Sequence, residues 1–199
     1  MKYSLLSIAV LASSCSPAEV EQSKPWVSFP IDNQVTVQLP ATPLEMPASA
    51  LAPFISDNPQ ASKAKAFITD DQAGTYVIVT VPMDPRLELQ LPREIKPADR
   101  TPYYRRYVEL LLTKTKGELL HQSLRTEGNV DFLTIKYRAP SPWLRISEQK
   151  YLDTFMLTRT HTLYQLYFTP KDEAGNTYAA QCLRFFNVTI PKEYQPRVH

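Results

Sequence analysis

Apolar and polar positions alternate with a period of two over several short stretches and shift to a helical period twice, and these changes mark out the elements. Val35, Val37 and Leu39 alternate with Thr36 and Gln38, which predicts a strand stopped at Pro40. Pro40, Pro43, Pro47, Pro53 and Pro59 then mark a long loop. Lys65–Asp70 and Thr75–Val81 read as a hairpin around Asp71-Gln72-Ala73-Gly74, and a second proline-rich loop runs from Pro82 to Pro97. The clearest helix opens with Thr101 as N-cap and Pro102 in the first helical position. Tyr104, Tyr107, Val108, Leu111 and Leu112 form its apolar stripe, with Arg105, Glu109 and Thr113 opposite and Gly117 as the C′ residue.

Strands return after this helix. Glu118–Thr126 pairs with Val130–Arg138 across Glu127-Gly128-Asn129, and Lys150–Thr158 pairs with Leu163–Phe168 around Arg159-Thr160-His161. A second helix spans about Thr177–Phe186, with Ala179, Cys182, Leu183 and Phe186 as its apolar stripe. Consecutive hairpins interrupted by amphipathic helices predict an α+β fold. The expected architecture is a mainly antiparallel β-sheet of about six to seven strands flanked by two main helices, an α/β/α sandwich.

The pattern before Trp26 is of another kind. Lys2 and the apolar run Leu5–Ala12 are followed by small residues, as in a secretory signal peptide, and the run is far below the roughly 20 residues that span a bilayer. The stretch Leu11-Ala12-Ser13-Ser14-Cys15 resembles the lipobox of bacterial lipoproteins, in which cleavage leaves the cysteine as a lipidated N-terminus. The resemblance makes Cys15 the lipid-attachment residue; ordinary cleavage after Ser14 would instead release the domain. Ser16–Pro25 is small, polar and unpatterned, and about ten flexible residues have an r.m.s. span of roughly 17 Å. The expected organisation is a lipoprotein signal peptide (1–14), a flexible tether (15–25), one α+β domain (26–195) and a tail (196–199).

Composition narrows the function classes. The chain has 199 residues, enough for one domain, with 4 glycines and 18 prolines, so its loops are stiffened rather than loosened. A net charge of +2, from 22 basic and 20 acidic side chains, gives no bulk attraction to nucleic acid. With Cys15 lipidated, Cys182 is the one cysteine left to the domain, and an internal disulfide is impossible.

Chemistry-bearing residues are scattered. His121, His161 and His199 lack ligand partners at metal spacing, and Cys182 sits in an apolar stripe where a thiol behaves as a small hydrophobe. No nucleophile elbow, phosphate loop or dinucleotide fingerprint occurs. Asp70-Asp71 and Asp172-Glu173 fit turn chemistry, and Asn187-Val188-Thr189 matches a glycosylation acceptor. Tyr103, Tyr104, Tyr107, Tyr164, Tyr167 and Tyr178 are expected to pack with hydroxyls at the core rim, or to line a groove between helix and sheet.

Several stretches together resemble the PsbP-like family: VTVQLPATP (35–43), GTYVIVTVP (74–82), YYRRYVELLLTKTKGELLHQSLRTEG (103–128), TLYQLYFTP (162–170) and AAQCLRFFN (179–187). The likeness spans nearly all of residues 26–195 as an order of elements. It implies an antiparallel sheet between helices, no enzymatic activity, and action by docking to partners. No binding motif lies in the matched pieces, so no functional residue is carried over.

The expected function is a non-enzymatic, lipid-anchored cell-envelope protein that binds a protein partner or assists a membrane complex. It would sit at the membrane through Cys15, with the outer membrane favoured and the domain in the periplasm or at the cell surface. No catalytic residue, cofactor, metal or nucleic-acid partner is expected. The competing expectation is a small-molecule or lipid-binding module that uses a helix–sheet groove.

Overall fold

The computed structural model describes residues 25–47, 61–83, 101–140, 147–157, 160–171 and 178–192. The expected signal peptide, Cys15, the tether up to residue 24, the 196–199 tail and much of both proline-rich loops lie outside the described residues. The elements are β1 (Val27–Pro30), β2 (Thr36–Leu39), β3 (Leu44–Glu45), β4 (Lys65–Asp70), β5 (Gly74–Pro82), α1 (Thr101–Thr115), β6 (Glu118–Glu127), β7 (Val130–Pro140), β8 (Ser147–Leu157), β9 (Thr162–Pro170) and α2 (Tyr178–Phe185).

Seven strands form one antiparallel sheet in the order β3-β4-β5-β9-β8-β7-β6. The hairpins come directly from the alternating segments. In the β6–β7 turn, Glu127 pairs with Val130 and Gly128 takes φ 58°, a left-handed value that glycine adopts without steric cost. The chain reaches the far edge of the sheet through the connection carrying α1, so β5 lies beside β9 rather than β6.

Each sheet face buries its own apolar layer. On one face Tyr76, Ile78, Phe132, Phe155, Leu157, Tyr164, Leu166 and Phe168 pack against Val35, Val37 and Leu39 and against Tyr178 and Phe185 of α2. On the other, Val79, Val81, Leu133, Ile135, Tyr137 and Leu152 pack against Val108 of α1, with Tyr104, Tyr107, Leu111 and Leu112 around it. Full burial of one such side chain contributes about 1.5–3 kcal/mol, so this double burial is the main source of fold stability. Helices on both faces of a mainly antiparallel sheet are the α+β architecture that the periodicity predicts.

Three expectations need correction. The first apolar layer is covered by α2 together with a separate two-stranded sheet, β1 paired with β2, and neither β1 nor β3 was anticipated. The inward face of α2 is Tyr178, Phe185 and the following Phe186, with Cys182 half-buried, whereas Ala179 and Leu183 are exposed. Burying three large rings outweighs burying alanine and leucine, and that sets the phase of the helix. Gly117 is not the left-handed C′ residue of α1, because Lys116 holds φ 51°. Lys116 N donates to Thr113 O (3.3 Å) and Gly117 N donates to Leu112 O (2.8 Å), the pair of bonds of a Schellman cap with Gly117 at C″. Glycine is required there for space, since a Cβ would lie 3.1 Å from Arg138 O and 2.8 Å from Thr115 Oγ1.

Candidate functional site

The candidate residues in the described part are placed by elements that use them structurally. Asp71 Oδ1 accepts from Ala73 N (2.9 Å) and Gly74 N (3.0 Å), which closes the β4–β5 turn. Its other carboxylate oxygen accepts from Tyr76 OH (3.3 Å), while Lys171 Nζ donates to Asp70 Oδ2 (3.0 Å) and Asp71 O (2.6 Å). This acidic pair therefore organises a turn. Asp172 and Glu173 lie outside the described residues.

The histidines do not converge. His121 is exposed on the edge strand β6, and His161 occupies the β8–β9 turn at φ 49°, where its carbonyl accepts from Met83 N (2.6 Å). His199 lies outside the described residues. Among the described residues no group of three His, Cys, Asp or Glu side chains could hold a metal ion. Asn187 and Thr189 are exposed, and Thr189 bridges its backbone to Thr36 of β2.

Cys182 packs half-buried against the first apolar layer, and burial pushes its thiol up to about 12, with Lys136 pulling the other way. A thiol held protonated at neutral pH is a poor nucleophile.

The tyrosines divide between the two faces. Tyr104 OH donates to Asp131 Oδ2 (2.9 Å), and Thr126 donates to the other oxygen of that carboxylate (2.7 Å). Tyr107 reaches from α1 to the sheet, where its hydroxyl accepts from Gln165 Nε2 (2.7 Å) and burial raises its pKa. On the opposite face Tyr164 OH donates to Asp32 Oδ2 (2.6 Å), and Asp32 Oδ1 accepts from Gln34 N and Val35 N. That carboxylate ties the β1–β2 turn to the central strand β9. Tyr167 and Tyr178 are buried, and the side chain of Tyr103 lies outside the described residues. The hydroxyls of Tyr104, Tyr107 and Tyr164 are thus hydrogen-bonded, whereas that of Tyr178 is buried with no hydrogen-bond partner among the described residues.

A groove between helix and sheet exists on a small scale. Tyr104, Gln122, Ser123, Leu124 and Leu133 line a cavity of about 150 Å³ under α1. Sites for drug-sized ligands run from roughly 300 to 1,000 Å³, so this cavity is too small to enclose an acyl chain or a typical metabolite.

Sequence reasoning missed one chemically unusual group. Asp153 of β8 is 0% exposed in the middle of the sheet. Its Oδ1 accepts from Thr134 Oγ1 (2.8 Å), but Oδ2 has no hydrogen bond and lies 3.8 Å from Arg125 NH2. Arg125 is half-exposed, stacks over Phe132 (4.6 Å to the ring centroid) and also pairs with Glu127 at 3.2 Å. Desolvation outweighs both the threonine bond and Arg125, and raises Asp153 to about 7. The available signal was strand alternation: Asp153 falls in the row Tyr151, Asp153, Phe155, Leu157, which pairs into a buried layer.

The candidate that the sequence singled out most strongly, Cys15, lies outside the described residues. The described part begins at Pro25 and Trp26. Trp26 packs edge-on against Tyr76 (5.5 Å between centroids) and lies under Arg184 of α2, whose guanidinium sits 4.8 Å from the indole centroid. Trp26 therefore lies on the α2 side of the sheet.

Neither the protein-family models nor the curated proteins contain a match to this chain. Among solved structures it is similar to the cyanobacterial PsbP (CyanoP) of Synechocystis sp. PCC 6803, determined in solution. The two share 10% sequence identity at a TM-score of 0.54, over 88% of this chain and 98% of that one. At so low an identity the likeness is one of fold, and the fold of this chain is PsbP-like.

Proposed function

We propose that this protein is a non-enzymatic accessory domain of a bacterial cell envelope, held at the membrane by lipid on Cys15, which docks a protein partner or assists a membrane complex. The observation that carries this reading is the stretch Leu11–Cys15 followed by a polar tether that leads straight to a folded domain at Trp26. Two or three acyl chains at about 0.8 kcal/mol per buried methylene anchor such a domain durably. The PsbP-like fold supports the docking role, since the family resemblance implies action through partners. Burial of the Cys182 thiol, the turn-capping role of Asp71 and the rim bonds of the tyrosines support a structural use for these groups.

The competing reading, a lipid- or small-molecule-binding module, is weakened by the size of the cavity under α1. Crosslinking in intact cells followed by purification from membranes tests the docking role. One recurrent protein partner, recovered with the wild type and lost when the chain is expressed without residues 26–195, is the expected result. Absence of any recurrent crosslinked protein across several reactive chemistries would overturn it.

A further inference from the structure

The surface of α2 joins three observations. Leu183 is 75% exposed, and Ala179 and Ala180 beside it are also exposed, although the sequence pattern places an apolar stripe through this helix. Arg184, also exposed, holds its guanidinium over Trp26, so a cation lies next to the exposed leucine. The same Trp26 is the point at which the chain leads back toward Cys15.

Chain length makes the geometry restrictive. Ten peptide links separate Cys15 from Pro25, a contour of at most about 35 Å and an r.m.s. span of roughly 17 Å. Trp26 is held on the α2 side by Tyr76 and Arg184, so the tether starts from that side of the sheet. The opposite surface, formed by α1 with Arg105, Glu109 and Leu110, lies beyond the whole sheet from that attachment point.

We infer that the α2 face is the membrane-facing surface of the anchored domain, with Leu183 meeting the interfacial region and Arg184 the anionic phospholipid headgroups. This rests on the reading of Cys15 as the anchor. An exposed leucine beside an arginine suits that interface, where apolar side chains enter the headgroup boundary and cations meet anionic lipid. The α1 face is left turned outward, free for a protein partner.

The test uses the full-length protein, expressed with its own leader and reconstituted into vesicles of phosphatidylethanolamine and phosphatidylglycerol. Spin labels are placed by Leu183→Cys and, as a reference on α1, by Leu110→Cys (51% exposed), each with Cys182→Ser. Intact mass establishes acylation of Cys15 before labelling. Collision accessibility to a water-soluble nickel chelate should fall at least threefold at position 183 relative to the same label in a leaderless soluble form, with position 110 unchanged. Acylated protein in which position 183 stays as accessible as in the soluble form, or in which both positions fall alike, would overturn the orientation and leave the anchor standing. A mass without acyl chains would remove the anchor and the orientation together.

Discussion

Replacing Asp153 by asparagine isolates the cost of a carboxyl group buried in the sheet. Asp153 is 0% exposed, and its pKa is raised from 3.8 to about 7 by desolvation. The unfolded chain releases this proton near 3.8, whereas the folded chain holds it until about 7. Across that window the native state binds more protons than the unfolded state, so stability falls as pH rises. At about 1.36 kcal/mol per unit, the full shift corresponds to roughly 4 kcal/mol. Between about pH 5 and pH 8 the wild type should lose roughly 2–3 kcal/mol relative to Asp153→Asn, allowing for partial relief from half-exposed Arg125 at 3.8 Å. Asparagine keeps an oxygen for Thr134 Oγ1 and carries no charge, so the variant should be nearly flat over the same range. Urea unfolding of both proteins at several pH values reads the difference directly. At 2–4 °C per kcal/mol, the midpoint temperatures should also separate by roughly 5–10 °C at alkaline pH. The reasoning fails if Asp153→Asn is the less stable protein at pH 8, because Arg125 would then be holding an ionised carboxylate to net advantage.

Further outcomes follow from the α1 cap and the buried thiol. Gly117→Ala should destabilise by about 1–3 kcal/mol, because its Cβ would crowd Arg138 O at 3.1 Å, while Lys116→Gly should stabilise by up to about 1 kcal/mol by relieving φ 51°. Urea midpoints that ranked the two variants the other way would refute the assignment of cap positions. Cys182, with its thiol at about 12 against an ordinary 9.0, should react with a disulfide reagent at pH 8 at least tenfold more slowly in the native than in the unfolded protein. Equal rates in a stopped-flow thiol assay would show that the cysteine is open and ionisable.

The parts of the fold legible in the sequence are those in which one physical signal dominates. The long strands β5 and β9 read as nearly continuous apolar runs because both of their faces meet a packed layer. In α1 the apolar stripe and the charged face are separate, and the predicted inward residues are the ones that meet the sheet. β1 was hidden because it is four residues long, largely exposed, and gains its order by pairing with β2. In α2 apolar residues occur on every side, so counting them gives the wrong phase, and only the size of Tyr178, Phe185 and Phe186 decides it. Lys116 shows that a glycine near a helix end need not occupy the left-handed position, since the demand at Gly117 is for space. Asp153 went unnoticed because a carboxylate within an apolar row reads as an exposed position until pairing partners bury both sides. Cys15 is legible only as sequence chemistry, because the proposed cleavage and lipidation signal is read from residues 11–15 and needs no fold.

Incorporation of a palmitate analogue in cells tests the anchoring claim most directly. Full-length wild type and Cys182→Ser should both carry the label and fractionate with membranes, whereas Cys15→Ser should carry none. Label retained in Cys15→Ser, or absent from the wild type, would contradict the account.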